Sequence, residues 1–72
     1  MSIRYTWEVA GGPLSLADLM ACPDGQCVTD EHGERWEHQD KWWRLTVSGM
    51  CLTGPELWAH RKTLRLTFRT IP

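Results

Sequence analysis

Apolar and polar positions alternate most cleanly near the two ends of this chain. In Ile3 to Val9 the apolar set is Ile3, Tyr5, Trp7 and Val9, with Arg4, Thr6 and Glu8 between them. In Thr63 to Arg69 it is Leu64, Leu66 and Phe68, with Thr63, Arg65, Thr67 and Arg69 between. Successive side chains of a strand point to opposite faces, so both stretches read as half-buried strands with the apolar set inward. The two are expected either to pair with each other or to form sheet edges.

Gly25 to Val47 reads as three short strands joined by two tight turns. Asp30-Glu31-His32-Gly33 has the chemistry of a three-residue hairpin loop, with Gly33 at the left-handed position where a Cβ would clash. If Asp30 and Glu34 flank the loop, Thr29 faces Arg35, Val28 faces Trp36 and Cys27 faces Glu37. Val28 and Trp36 then make a buried cross-strand pair, and Thr29, Arg35 and Glu37 face water. The second turn lies within His38 to Lys41. A Gln39-Asp40 loop sets Trp36 opposite Trp43, and a His38-Gln39-Asp40 loop sets it opposite Trp42. A one-residue slip exchanges the faces, so one of the two tryptophans joins Trp36 and the other lies on the far face.

Helical spacing appears twice. Leu14 to Ala21 carries Leu16, Leu19 and Met20 at i, i+3, i+4, with Ser15 as N-cap and Asp18 at the capping-box position. Thr53-Gly54-Pro55-Glu56 starts either a helix, with Thr53 or Gly54 near the cap, or a plain loop; as a helix it would end in the cations His60, Arg61 and Lys62. Gly11-Gly12-Pro13, Pro23-Asp24-Gly25 and Ser48-Gly49 punctuate the chain, and Met50 to Leu52 forms a short strand. The expected fold is a single α+β domain over residues 1–72: a mainly antiparallel sheet of about five strands with one or two short helices.

At 72 residues, 42% hydrophobic and 24% charged, the chain is globular rather than disordered. No apolar run reaches the roughly 20 residues of a membrane span, and the N-terminal stretch lacks the apolar core of a signal peptide. Three cysteines, an odd number, argue against a disulfide framework, so the cytoplasm is the expected compartment. Net charge is −1 but unevenly spread. Residues 1–40 hold two basic and eight acidic residues, a net −6, and residues 41–72 hold six and one, a net +5. Such asymmetry marks either an interaction surface or acidic and basic strands lying side by side.

Candidate chemistry is sparse. Cys22 and Cys27 have the spacing of half a zinc site, but the other ligand types, His32, His38, Cys51 and His60, are scattered, so no metal and no cofactor is expected. No local motif frames a nucleophile or acid–base pair, and no enzyme is expected. Arg61, Lys62, Arg65 and Arg69 form a basic segment that could contact phosphates, with aromatic rings available for stacking; the slightly acidic total weighs against nucleic acid. Tryptophan anchors protein interfaces, and Trp42 or Trp43, together with Trp58, are the candidates for a protein-binding surface. A homodimer with tryptophan in its interface would also cover the apolar face expected from Ile3, Tyr5, Trp7, Leu64, Leu66 and Phe68.

Residues 16–45 carry a leucine-rich helical turn, then Pro23-x-Gly25, Val28, and Asp30-x-x-Gly33-x-x-Trp36 followed by Trp42. This order resembles short accessory proteins of actinobacteria and their bacteriophages. The resemblance implies a phage or prophage accessory protein that binds a host protein, and it assigns no catalytic or binding residue.

Overall fold

The Asp30–Gly33 turn forms as its residues dictate. Gly33 sits at φ 77°, the Gly33 N–H donates to the Asp30 carbonyl, and the Asp30 N–H donates to the Glu34 carbonyl. The register it sets is the expected one, with Cys27 facing Glu37, Val28 facing Trp36 and Thr29 facing Arg35. Around this hairpin the computed structural model, which describes residues 6–70, places β1 (Thr6–Ala10), α1 (Leu16–Met20), β2 (Cys27–Thr29), β3 (Arg35–Gln39), β4 (Trp42–Leu45), β5 (Cys51–Thr53), α2 (Gly54–His60) and β6 (Arg65–Thr70). The strands form one antiparallel sheet of six, in the order β1-β6-β2-β3-β4-β5. The fold is thus small α+β, with one strand more than the sequence suggested.

Both helices start with a full capping box. Ser15 accepts from the Asp18 N–H while Asp18 accepts from the Ser15 N–H, and Thr53 and Glu56 repeat the exchange at α2. The choice left open for this stretch therefore resolves to a helix over Gly54–His60, capped by Thr53, with Arg61 extended at its end and Lys62 in the loop beyond. Helices this short gain their stability by docking. Leu19 of α1 and Leu57 of α2 are fully buried, in one cluster with Val28, Trp36, Trp43, Leu45 and Leu64. The cluster defines a covered face of the sheet, and among the described residues no helix packs on the other face.

Two expectations are corrected. Neither second-turn register is adopted: the loop is Asp40-Lys41, so Gln39 faces Trp42 and Trp36 faces Leu45. Asp40 takes φ 58°, and its N–H donates to the Asp24 carboxylate at 3.0 Å, which ties this turn to the Pro23–Gly25 turn beside it. The parity still sends Trp43 inward with Trp36 and Trp42 to the far face. The second correction concerns the outer strands. β1 pairs with β6, but Trp7 faces Arg69 and Val9 faces Thr67, so the apolar set of β1 shares a face with the polar set of β6. Trp7 and Val9 lie on the uncovered face, while Leu66 and Phe68 lie on the helix side. The single apolar face expected from Trp7, Leu64, Leu66 and Phe68 does not exist; Ile3 and Tyr5, also assigned to it, fall outside the described residues.

Candidate functional site

The residues most strongly patterned in the sequence build a clasp. The Asp30 side chain is fully buried and accepts four hydrogen bonds. One carboxylate oxygen takes the backbone N–H groups of His32 and Glu34 at 2.9 and 3.0 Å. The other takes the Trp36 indole N–H and the Arg61 Nε–H, both at 2.9 Å. Burial pushes the Asp30 pKa up, but the bonds from Trp36, Glu34, Arg61 and His32 together outweigh it and hold the carboxyl below its ordinary value. Beside it the Glu31 carboxylate accepts the backbone N–H groups of Lys62 and Thr63, anchoring the loop between α2 and β6. Asp30, Gly33 and Trp36 thus pin the hairpin, α2 and the core tryptophan together.

The clasp and the core each remove a residue from the candidate binding sets. Arg61 is held by Asp30, with its guanidinium 5.4 Å from the Trp36 ring centroid. Trp43 is 1% exposed and stacks on His38 at 4.5 Å, so it belongs to the core and presents nothing to a partner. Trp42 and Trp58 remain exposed, but Trp42 lies on the open face and Trp58 on the helix layer, so they form no common patch. Lys62 is exposed in the loop before β6; Arg65 and Arg69 stand on the open face, as their alternation implied.

What the fold gathers is a cationic and aromatic face. The register adds Arg35 of β3 and Arg44 of β4 to Arg65 and Arg69, against Glu37 of β3, which lies 3.8 Å from Arg44. The Arg35 guanidinium lies over the Trp7 ring at 3.7 Å from its centroid, a close cation–π contact that spans β6 and β2. The Arg35 Nε is buried and has no hydrogen-bond partner among the described residues. Further along, Lys41 approaches the Trp42 ring at 5.5 Å. The sequence reading missed Trp7, Arg35 and Arg44. Arg35 was legible as water-facing from the hairpin pattern, but the side on which Trp7 falls depends on how β1 registers with β6.

A cleft of about 410 Å³ opens beside Trp7, lined also by Cys27, Glu37, Thr67 and Arg69. Burial first, then Glu37, pushes the Cys27 thiol up, against smaller opposing pulls from Arg35 and Arg69. A thiol so raised stays protonated near neutral pH and is a poor nucleophile. Among the described residues no group of three or more His, Cys, Asp or Glu side chains is arranged to hold a metal, and no helix is long and apolar enough to cross a membrane. No family model, curated protein or solved structure matches the chain.

Proposed function

We propose that this chain is a small binding protein that engages an acidic partner protein through the uncovered face of its sheet. The observation that carries the reading is the composition of that face: Arg35, Arg44, Arg65 and Arg69 against Glu37, with Trp7 and Trp42 among them. Arginine and tryptophan are the residues that most often anchor an interface, and a guanidinium already ordered on an indole loses little further entropy when it binds. The resemblance of residues 16–45 supports a phage-type accessory protein acting on a host protein in the host cytoplasm.

A second reading, single-stranded nucleic acid, draws on the same face, because an indole flanked by arginines is a surface on which bases stack. Affinity capture from bacterial lysate separates the two. The wild type should retain a protein that Arg35→Glu/Arg65→Glu does not, and nuclease should leave it bound. Capture abolished by nuclease, with an affinity that falls steeply with salt, would favour the nucleic-acid reading. Capture unaffected by the double substitution would remove the open face from both.

A further inference from the structure

The two fully buried tryptophans differ at their one polar atom. Trp36 donates its indole N–H to Asp30. Trp43, 1% exposed, makes no hydrogen bond through its Nε1–H among the described residues. Its ring is held in place by the stack on His38, whose Nδ1–H donates to the Pro23 carbonyl at 3.2 Å. A donor on so buried a side chain is costly to leave unpaired, so this edge of the indole calls for an acceptor.

A cleft of about 230 Å³ reaches it. The cleft lies on the helix side of the sheet, between α1, the first turn of α2 and the β3–β4 turn, and Trp43 is part of its lining. Gly54 is what keeps the indole nitrogen open. Its backbone does not take the left-handed conformation that favours glycine. A Cβ there would nevertheless stand 3.7 Å from Trp43 Nε1 and 2.6 Å from Met20 Sδ. A side chain at this position would therefore cover the N–H and press on Met20.

The rest of the lining sets the chemistry of what fits. Leu19, Met20 and Pro55 are apolar, and exposed Asp40 and Lys41 contribute one charge of each sign. An ionised ligand would exchange water for apolar walls with no net counter-charge. A primary amide would bring N–H groups that those walls leave unpaired. An apolar cavity of about 150 Å³ holds benzene, so this one has room for a ring of that size with a short substituent.

We infer that this cleft binds a small neutral molecule, a ketone or ester on a compact apolar body, whose carbonyl oxygen accepts the Trp43 indole N–H. Met20, 57% exposed, is the adaptable wall, since an unbranched thioether fills irregular gaps. The site lies on the helix side and not on the open face, so it stands or falls apart from the proposed function.

Acetophenone is the probe, and heteronuclear NMR on the full chain reads the indole N–H signals of the five tryptophans. The Trp43 signal is the one lost in Trp43→Phe or, should that variant unfold, the one with nuclear Overhauser contacts to Gly54. Acetophenone should shift it saturably, with a Kd of about 1 mM or lower. Ethylbenzene and benzoate keep the ring but lack the neutral carbonyl, and should bind about fivefold or more weakly. This comparison is made on the wild type and needs no variant to fold. Gly54→Ala, judged folded by circular dichroism, should weaken acetophenone by about tenfold or more, because its methyl fills the space before the N–H. A Trp43 signal unmoved by all three probes would assign the N–H to water and overturn the inference. So would ethylbenzene or benzoate binding as tightly as acetophenone, or an undiminished shift in folded Gly54→Ala.

Discussion

Replacing Asp30 by asparagine keeps the volume of the side chain and removes its charge. The amide oxygen can still accept the His32 and Glu34 N–H groups, but the amide nitrogen then faces the Trp36 indole N–H and the Arg61 Nε–H, donor against donor. Trp36 is fully buried, so its stranded N–H costs about 1–3 kcal/mol. Arg61, with 18% of its side chain exposed, loses its counter-charge, and breaking a buried pair costs about 3–5 kcal/mol. Both losses pass through one oxygen and do not add, and Arg61 can turn partly to water, so we expect a net loss of about 3 kcal/mol. A domain of this length has roughly 4–11 kcal/mol in total. The melting temperature should therefore fall by about 12–24 °C. The assay is urea unfolding followed by tryptophan fluorescence and far-ultraviolet circular dichroism. pH supplies a second test. The native Asp30 pKa lies below its unfolded value of about 3.9, so its stabilisation is complete well above that value and is lost as pH falls through the lowered native one. The gap between wild type and variant should narrow in acid. A gap under about 1 kcal/mol at pH 7, or one that persists in acid, would refute the clasp as the source of stability.

Gly33→Val should cost about 1–3 kcal/mol, because φ 77° is poorly tolerated by a β-branched residue; a wild-type melting curve would contradict the turn assignment. Trp43→Ala should cost about 3–5 kcal/mol by emptying the core, while Trp42→Ala and Trp58→Ala, at exposed positions, should each change stability by less than about 1 kcal/mol in chemical denaturation. Purified protein should carry no stoichiometric zinc and keep its melting temperature in chelator, and equimolar zinc by elemental analysis would reverse the reading of the cysteines.

Local chemistry made the first hairpin, the Ser15–Asp18 capping box and the inward set of Val28, Trp36, Leu19 and Leu57 legible in the sequence, while the second capping box, Thr53 with Glu56, was left open between helix and loop. Each depends on neighbours within a few residues: a glycine at the left-handed turn position, a Ser or Thr with an acid three residues on, a period of two or of three to four. What the sequence hid depends on distant pairings. The second turn forms at Asp40-Lys41 because Asp24, on another loop, accepts the Asp40 N–H. Trp7 faces outward because β6 inserts between β1 and β2 in a register that joins Trp7 to Arg69. The Asp30-x-x-Gly33-x-x-Trp36 spacing was visible as a pattern, but its meaning needed Arg61, thirty-one residues from Asp30, to complete the carboxylate's partners. The candidate surface was less legible than the fold for the same reason. Strands from the beginning, middle and end of the chain (β1, the β3–β4 hairpin and β6) contribute its arginines and tryptophans, and two residues first assigned to binding, Trp43 and Arg61, are consumed by the core and the clasp.

Hydroxyl-radical footprinting of the tryptophans, read by mass spectrometry on the free protein and on its complex with the captured partner, tests the open face most directly. In the free protein Trp7, Trp42 and Trp58 should react and Trp36 and Trp43 should not. In the complex Trp7 and Trp42 should become protected while Trp58, on the helix layer, stays reactive. Protection of Trp58 with Trp7 and Trp42 unchanged would move the binding surface to the helices and contradict the account.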